Sequence, residues 1–121
     1  MNKILNIIFI LILLLSQIQP ICARELCDCF GECIAVYPRE VTWETKRLIK
    51  SMYGYPSYAR FEIDHKIPLC LGGTNNIDNL QPLSKSDHIK KTEHDMRLLY
   101  YVRSCFMTIK EAQAETSNWK K

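Results

Sequence analysis

Apolar and polar positions split the chain into an unbroken apolar opening, a cysteine-bearing stretch without periodicity, and a series of short patterned segments. Ile4 to Leu15 is almost free of polar atoms, follows Lys3, and leads through Gln17 and Pro20 to Ile21-Cys22-Ala23. That order is the one expected of a secretory signal cleaved after Ala23. A retained anchor fits less well, because the apolar core is about a dozen residues where a spanning helix needs ~20. A lipid anchor on Cys22 is disfavoured by bulky Ile21 before it.

Beyond this leader, Arg24 to Pro38 lacks periodic apolar residues and reads as an irregular arm tied down by a bridge. Thr42 is placed to cap a helix from Trp43 to about Tyr53, with Trp43, Arg47 or Leu48, and Met52 toward one face and Gly54 as its stop. Arg60 to Leu69 alternates and is rich in β-formers, which predicts a strand that Pro68 ends or pushes to an edge. Gly72 to Asn76 is a loop by composition, and Leu80 to Leu83 predicts a short antiparallel return strand.

Ser84 then caps a helix, with Asp87 at its third position, running to about Arg103 with Ile89, Met96, Leu99 and Tyr100 or Val102 toward the core. Thr108 and Glu111 form a capping box that opens a last helix from Ile109 to about Asn118. The expected fold class is α+β. Three segments follow: 1–23 as signal, 24–38 as arm and 39–121 as a single small domain with one modest core.

Export changes how the cysteines read. Of the six in the chain, Cys22 leaves with the leader, and Cys27, Cys29, Cys33, Cys70 and Cys105 remain. An oxidising compartment permits at most two bridges within one chain and leaves one thiol free or paired with another chain. Structural zinc fits less well, since Cys27-x-Cys29-x3-Cys33 lacks the paired Cys-x2-Cys spacing. The connectivity stays open at this point. The formal net charge of +3 is small. It suits a polyanionic partner and an ordinary solvated surface equally.

The chemistry concentrates between Phe61 and His88. Asp64-His65 stands at the end of the expected strand, and Gly72-Gly73, Asn79-Leu80 and His88 follow in order. Adjacent strand residues point to opposite sides, so an anionic oxygen of Asp64 faces a hard divalent cation while neutral His65 faces an attacking water. His88, in the first turn of the following helix, would complete the metal site with an imidazole nitrogen and leave positions for water and phosphate oxygens. Each residue alone has a bland reading: Asp64 paired with Lys66 or Arg60, and His88 as a surface residue near a helix start. The ordered combination points instead to metal-dependent phosphodiester hydrolysis.

At these residues the sequence resembles the HNH endonuclease family, whose ββα-metal core carries Asp-His-x-Ile-Pro-Leu, Gly-Gly, Asn-Leu-Gln and a later His or Asn. The resemblance covers Phe61 to about Thr92 closely and more loosely includes Lys46, Tyr53-Gly54, Cys105, Glu111 to Gln113 and Trp119. It implies a ββα hairpin-helix core with flanking helices, with Asp64 as first metal ligand, His65 as general base and His88 as last ligand. Asn79 would brace the hairpin loop and orient the base. The Cys-x2-Cys zinc pairs of many relatives are missing, and disulfides from Cys70, Cys105 or the arm would take over that support.

The expected activity is therefore exported endonucleolytic cleavage of DNA, with RNA as an alternative substrate and little sequence specificity. One divalent ion is implied, Mg2+ first, with Mn2+, Ni2+ or Zn2+ as alternatives. Lys66, Lys90, Lys91 and Arg97 are the candidate phosphate contacts. The location would be periplasmic or secreted. A monomer is expected, with a dimer through the odd cysteine left open, as is an inhibitor protein that guards the producing cell. Two rivals stand beside this reading. One is an inactive nucleic-acid-binding module of the same fold; the other is a disulfide-stapled interaction protein with no metal.

Overall fold

The computed structural model describes residues 25–120, so the expected signal lies outside the described residues. The chain begins with a two-stranded antiparallel ribbon, β1 (Glu25–Cys27) and β2 (Cys33–Ala35). Asp28 builds its turn: the backbone N–H donates to Glu32 O, and Oδ1 accepts from the N–H groups of Phe30 and Glu32. Cys27 is bonded to Cys33 across the ribbon, and Cys29 at the turn is bonded to Cys105. Cys70 is free. The stretch expected to be irregular is thus ordered, and it contributes Leu26 to the main core alongside Leu71, Leu98, Leu99, Val102, Ile109 and Ala112.

Helix α1 (Trp43–Met52) starts where Thr42 Oγ1 accepts from Thr45 N–H. Its inward face differs from expectation. Ile49 is the fully buried residue, in a small cluster with Ile63 and Leu80, whereas Trp43, Leu48 and Met52 are exposed. A narrow hairpin covers little of a helix, and only the stripe around Ile49 meets it. Trp43 is instead covered by the Arg47 guanidinium, 4.6 Å from its ring centre.

The hairpin consists of β3 (Glu62–His65) and β4 (Leu80–Leu83), paired antiparallel with Ile63 opposite Pro82, Asp64 opposite Gln81 and His65 opposite Leu80. The strand expected to reach Leu69 stops at His65. Pro68 has no N–H to donate, and it opens a 3-10 turn at Leu69–Leu71. Alternation along the strands puts Ile63 and His65 on the α1 side and Asp64 and Gln81 on the other.

Helix α2 (Lys85–Arg103) covers that other side, capped by Ser84 Oγ accepting from Asp87 N–H. Its buried positions are Lys91, Asp95, Leu98, Leu99 and Val102; Ile89 and Met96, expected inside, are exposed, and of the alternatives Tyr100 and Val102 it is Val102 that faces the core. The first half of α2 packs polar side chains against the hairpin, a face that apolar periodicity does not select. Cys105, at φ 63°, reverses the chain after α2.

Helix α3 (Ile109–Glu115) carries the full capping box of Thr108 and Glu111. It stops before Asn118 because Thr116 caps it, and a 3-10 turn at Asn118–Lys120 follows. Asp28 Oδ2 accepts from Ile109 N–H at 3.0 Å, so the ribbon also supports the start of α3. That donation holds the Asp28 carboxyl below its ordinary range.

Candidate active site

The strand end and the first turns of α2 bring Asp64 and His88 together. Asp64 Oδ1 lies 3.8 Å from His88 Nε2, with the carboxylate buried and the imidazole at the rim. Two ligand atoms that each sit about 2.0–2.2 Å from a shared ion are about 2.8–3.6 Å apart at octahedral or tetrahedral angles, so a closure of a few tenths of an ångström brings this pair onto one ion. A carboxylate oxygen paired with an imidazole nitrogen is a donor set for a divalent metal, so the residues fit the ion that the sequence implied.

The second Asp64 oxygen faces inward. Oδ2 is 3.3 Å from Lys91 Nζ and accepts from Gln81 Nε2 at 3.3 Å. Lys91 is 1 % exposed and also donates to Asp95 Oδ2 at 2.6 Å. Asp95 Oδ1 has no partner among the described residues. Burial raises the Asp95 carboxyl pKa, against the pull of Lys91. Asp64 therefore has an ion-pair partner, as its bland reading would have it, but that partner is Lys91 on α2, not Lys66 or Arg60.

His65 occupies the opposite face of β3 and is buried. Its ring is held at both nitrogens: Arg39 Nη1 lies 3.2 Å from Nδ1, and Asn75 Oδ1 lies 3.0 Å from Nε2. The tautomer follows from the partners. Asn75 is oriented by Pro38 O, which accepts from Nδ2, and by Glu40 N–H, which donates to Oδ1. Its Oδ1 then accepts from His65 Nε2–H. A guanidinium only donates, so Nδ1 carries the lone pair. Burial lowers the His65 pKa below 6.5; the Asn75 hydrogen bond opposes this, and the Arg39 charge adds to it. The ring is neutral at physiological pH, as a general base requires.

Asn79 touches backbone rather than the cleft. Its Oδ1 accepts from Ile67 N–H at 2.9 Å, while Nδ2 donates to Ile67 O at 3.0 Å and Thr74 O at 2.9 Å. This locks the segment that leaves His65, and Gly73 is needed beside it, since a Cβ there would lie 1.8 Å from Ile67 O. Asn79 is thus a positioning residue by placement.

The four expected phosphate contacts scatter. Lys66 is exposed near the hairpin, with Nζ donating to Asp78 O. Lys91 is a correction: it is interior, engaged by two carboxylates, and not part of a basic surface. Lys90 and Arg97 are exposed on α2, but at about 100° per residue they lie roughly opposite the His88, Lys91 and Asp95 face. Arg97 instead lines an outer groove with Thr92, Met96, Tyr100 and Tyr101.

Arg39, Asn75 and Asp95 carry no expectation from the sequence, and Gln81 enters there only as the last residue of the Asn-Leu-Gln pattern. Arg39 sits before any patterned element and Asn75 inside a stretch that reads as plain loop, so only the folded contacts expose them. A second metal-like grouping, Glu25 with Cys27 and Cys33, has its two sulfurs bonded to each other and offers no thiolate.

Residues 50–94 match the family model described as HNH endonuclease. The matched segment contains β3, β4, the loop between them and the first half of α2, and so all of Asp64, His65, Asn79 and His88. No curated protein and no solved structure matches the chain.

Proposed function

We propose that this chain, whose residues 50–94 match the HNH endonuclease family model, is an exported, divalent-metal-dependent endonuclease that cuts DNA with little sequence specificity. The observation that carries this reading is Asp64 Oδ1 at 3.8 Å from His88 Nε2, one residue from a neutral, buried His65.

In the reaction, the His65 Nδ1 lone pair takes a proton from a water aimed at the scissile phosphorus. Asn75 keeps that lone pair in place by holding the proton on Nε2. Arg39 hydrogen-bonds Nδ1 without substrate; as the water takes that position, its guanidinium is left beside the incoming phosphate oxygens. Arg39 stays anchored through Nη2, which donates to Ile63 O at 2.6 Å. Asp64 and His88 would hold the ion, which supplies charge stabilisation to the phosphate and to the departing 3′ oxygen. Mg2+ is the first choice, and Mn2+, Ni2+ and Zn2+ also suit the mixed oxygen and nitrogen pair. The family pattern implies 5′-phosphate and 3′-hydroxyl ends.

Two disulfides support an oxidising destination, periplasmic or secreted. The small domain carries no separate base-reading element among the described residues, which supports nonspecific cutting of DNA, with RNA as the alternative. Purified protein incubated with supercoiled plasmid and Mg2+ tests the proposal. Nicking should disappear with chelator and in His65→Ala; nicking that survives both sinks it. Metal binding without nicking would instead identify an inactive binding module.

A further inference from the structure

Behind the metal pair, a cavity of about 310 Å³ opens between the hairpin, α2 and the C-terminal turn, walled by Lys66, Gln81, Lys91, Ser117, Trp119 and Lys120. It is joined to the active site through one carboxylate: Gln81 and Lys91 both contact Asp64 Oδ2, while Oδ1 faces His88. No acidic residue lines it. Lys91 is neutralised by Asp64 and Asp95. Lys66 and Lys120 are different. Among the described residues neither has a carboxylate partner; Lys66 donates to a backbone carbonyl, and Lys120 Nζ lies 5.0 Å from the Trp119 ring centre.

Two uncompensated ammonium groups and an indole around one cavity match the two halves of a nucleotide. The ammonium groups attract a backbone phosphate, and the ring offers a stacking surface that tolerates any base. The proximity to Asp64 selects which nucleotide. We propose that this cavity is a subsite for the nucleotide unit flanking the scissile phosphate, with its phosphate on Lys66 and Lys120 and its base against Trp119. The subsite rests on the nuclease reading for its substrate, yet it binds without the metal. It also explains how a chain with Lys90 and Arg97 turned away from the site would hold a strand there.

The test is fluorescence. The chain has two tryptophans, so Trp43→Phe leaves Trp119 as the sole indole. In EDTA, titration with octathymidylate should quench Trp119 emission, and Lys66→Gln with Lys120→Gln should weaken binding by about tenfold and flatten its salt dependence. An abasic oligomer should bind with little quenching, and inorganic phosphate should compete only weakly. Absence of binding, binding by anisotropy with unchanged Trp119 emission, or an affinity indifferent to both lysine substitutions overturns the subsite. Phosphate binding as tight as the oligonucleotide also overturns it, in favour of a free-anion site. Plasmid nicking in Mg2+ is scored separately. Nicking without quenching removes the subsite and keeps the nuclease, and quenching without nicking does the reverse.

Discussion

Arg39 Nη1 lies 3.2 Å from His65 Nδ1, so a cation that precedes every patterned element sits on the lone pair of the proposed base. Burial is the largest cause of the lowered His65 pKa, and the Arg39 charge adds to it. The neutral base therefore survives to a pH below 6.5, and the acid limb of kcat/KM for plasmid cleavage should fall below that value. Arg39→Met should move the limb upward while lowering the rate, since the variant also loses a phosphate partner. The same shift affects stability with a defined sign. A histidine whose folded pKa is depressed contributes stability above 6.5, and that contribution is lost as pH falls through the folded value. An acid limb unchanged in Arg39→Met would show that burial alone sets the base.

Lys91 joins Asp64 to Asp95 inside the protein and makes a second prediction. Removing one member of a buried ion pair leaves an uncompensated charge, at a cost of about 3–5 kcal/mol. Lys91→Met should therefore lower the free energy of unfolding by about that amount in a denaturant titration. Lys91→Met with Asp95→Leu should recover most of the loss, because the unpaired carboxylate goes too. Mn2+ affinity, measured by calorimetry, should rise in the single variant, where Asp64 no longer shares its charge with an ammonium. Equal stability of single and double variants would contradict this account.

These contacts mark where sequence reasoning stops. Caps at Thr42, Ser84 and Thr108 were legible because each is a local bargain between a hydroxyl and an N–H three residues on. Asp64, His65, Asn79 and His88 were legible as an ordered pattern on a hairpin and helix. The inward face of α2 was not, because its first half buries Lys91 and Asp95, with His88 at the rim, where apolar periodicity favoured Ile89 and Met96. Arg39 and Asn75 reach His65 from 26 and 10 positions away through loop backbone, and nothing local distinguishes them. The two bridges depend on a ribbon whose strands are three residues each, too short to show alternation.

Asn79 and Gly73 act on one peptide, so their substitutions should fail to add. Asn79→Ala removes three hydrogen bonds around the hairpin loop, worth about 0.5–1.5 kcal/mol each. Gly73→Ala drives a Cβ into Ile67 O, which must move and thereby release the same amide. In a double-mutant cycle the combined loss of stability should be smaller than the sum of the two. Nicking should fall at least tenfold in either variant while Mn2+ binding at Asp64 and His88 changes little, since the loop positions His65 rather than the metal pair. Strict additivity would separate the two residues.

The two disulfides should differ in worth, because they close loops of very different length. Cys29–Cys105 spans 76 residues and Cys27–Cys33 spans 6. Loop-closure entropy assigns about 4–5 kcal/mol to the longer and about 2 kcal/mol to the shorter. The long bridge also fixes the ribbon turn, from which Asp28 supports the start of α3 and Leu26 enters the core. Replacing Cys29 and Cys105 together by alanine should therefore cost about 2 kcal/mol more than replacing Cys27 and Cys33, read from paired denaturant titrations. Nicking measured well below the lowered Tm should persist in both variants, since Asp64, His65 and His88 all lie within residues 50–94 and neither bridge does. A nuclease abolished by loss of Cys27–Cys33 alone would mean that the ribbon shapes the cleft directly.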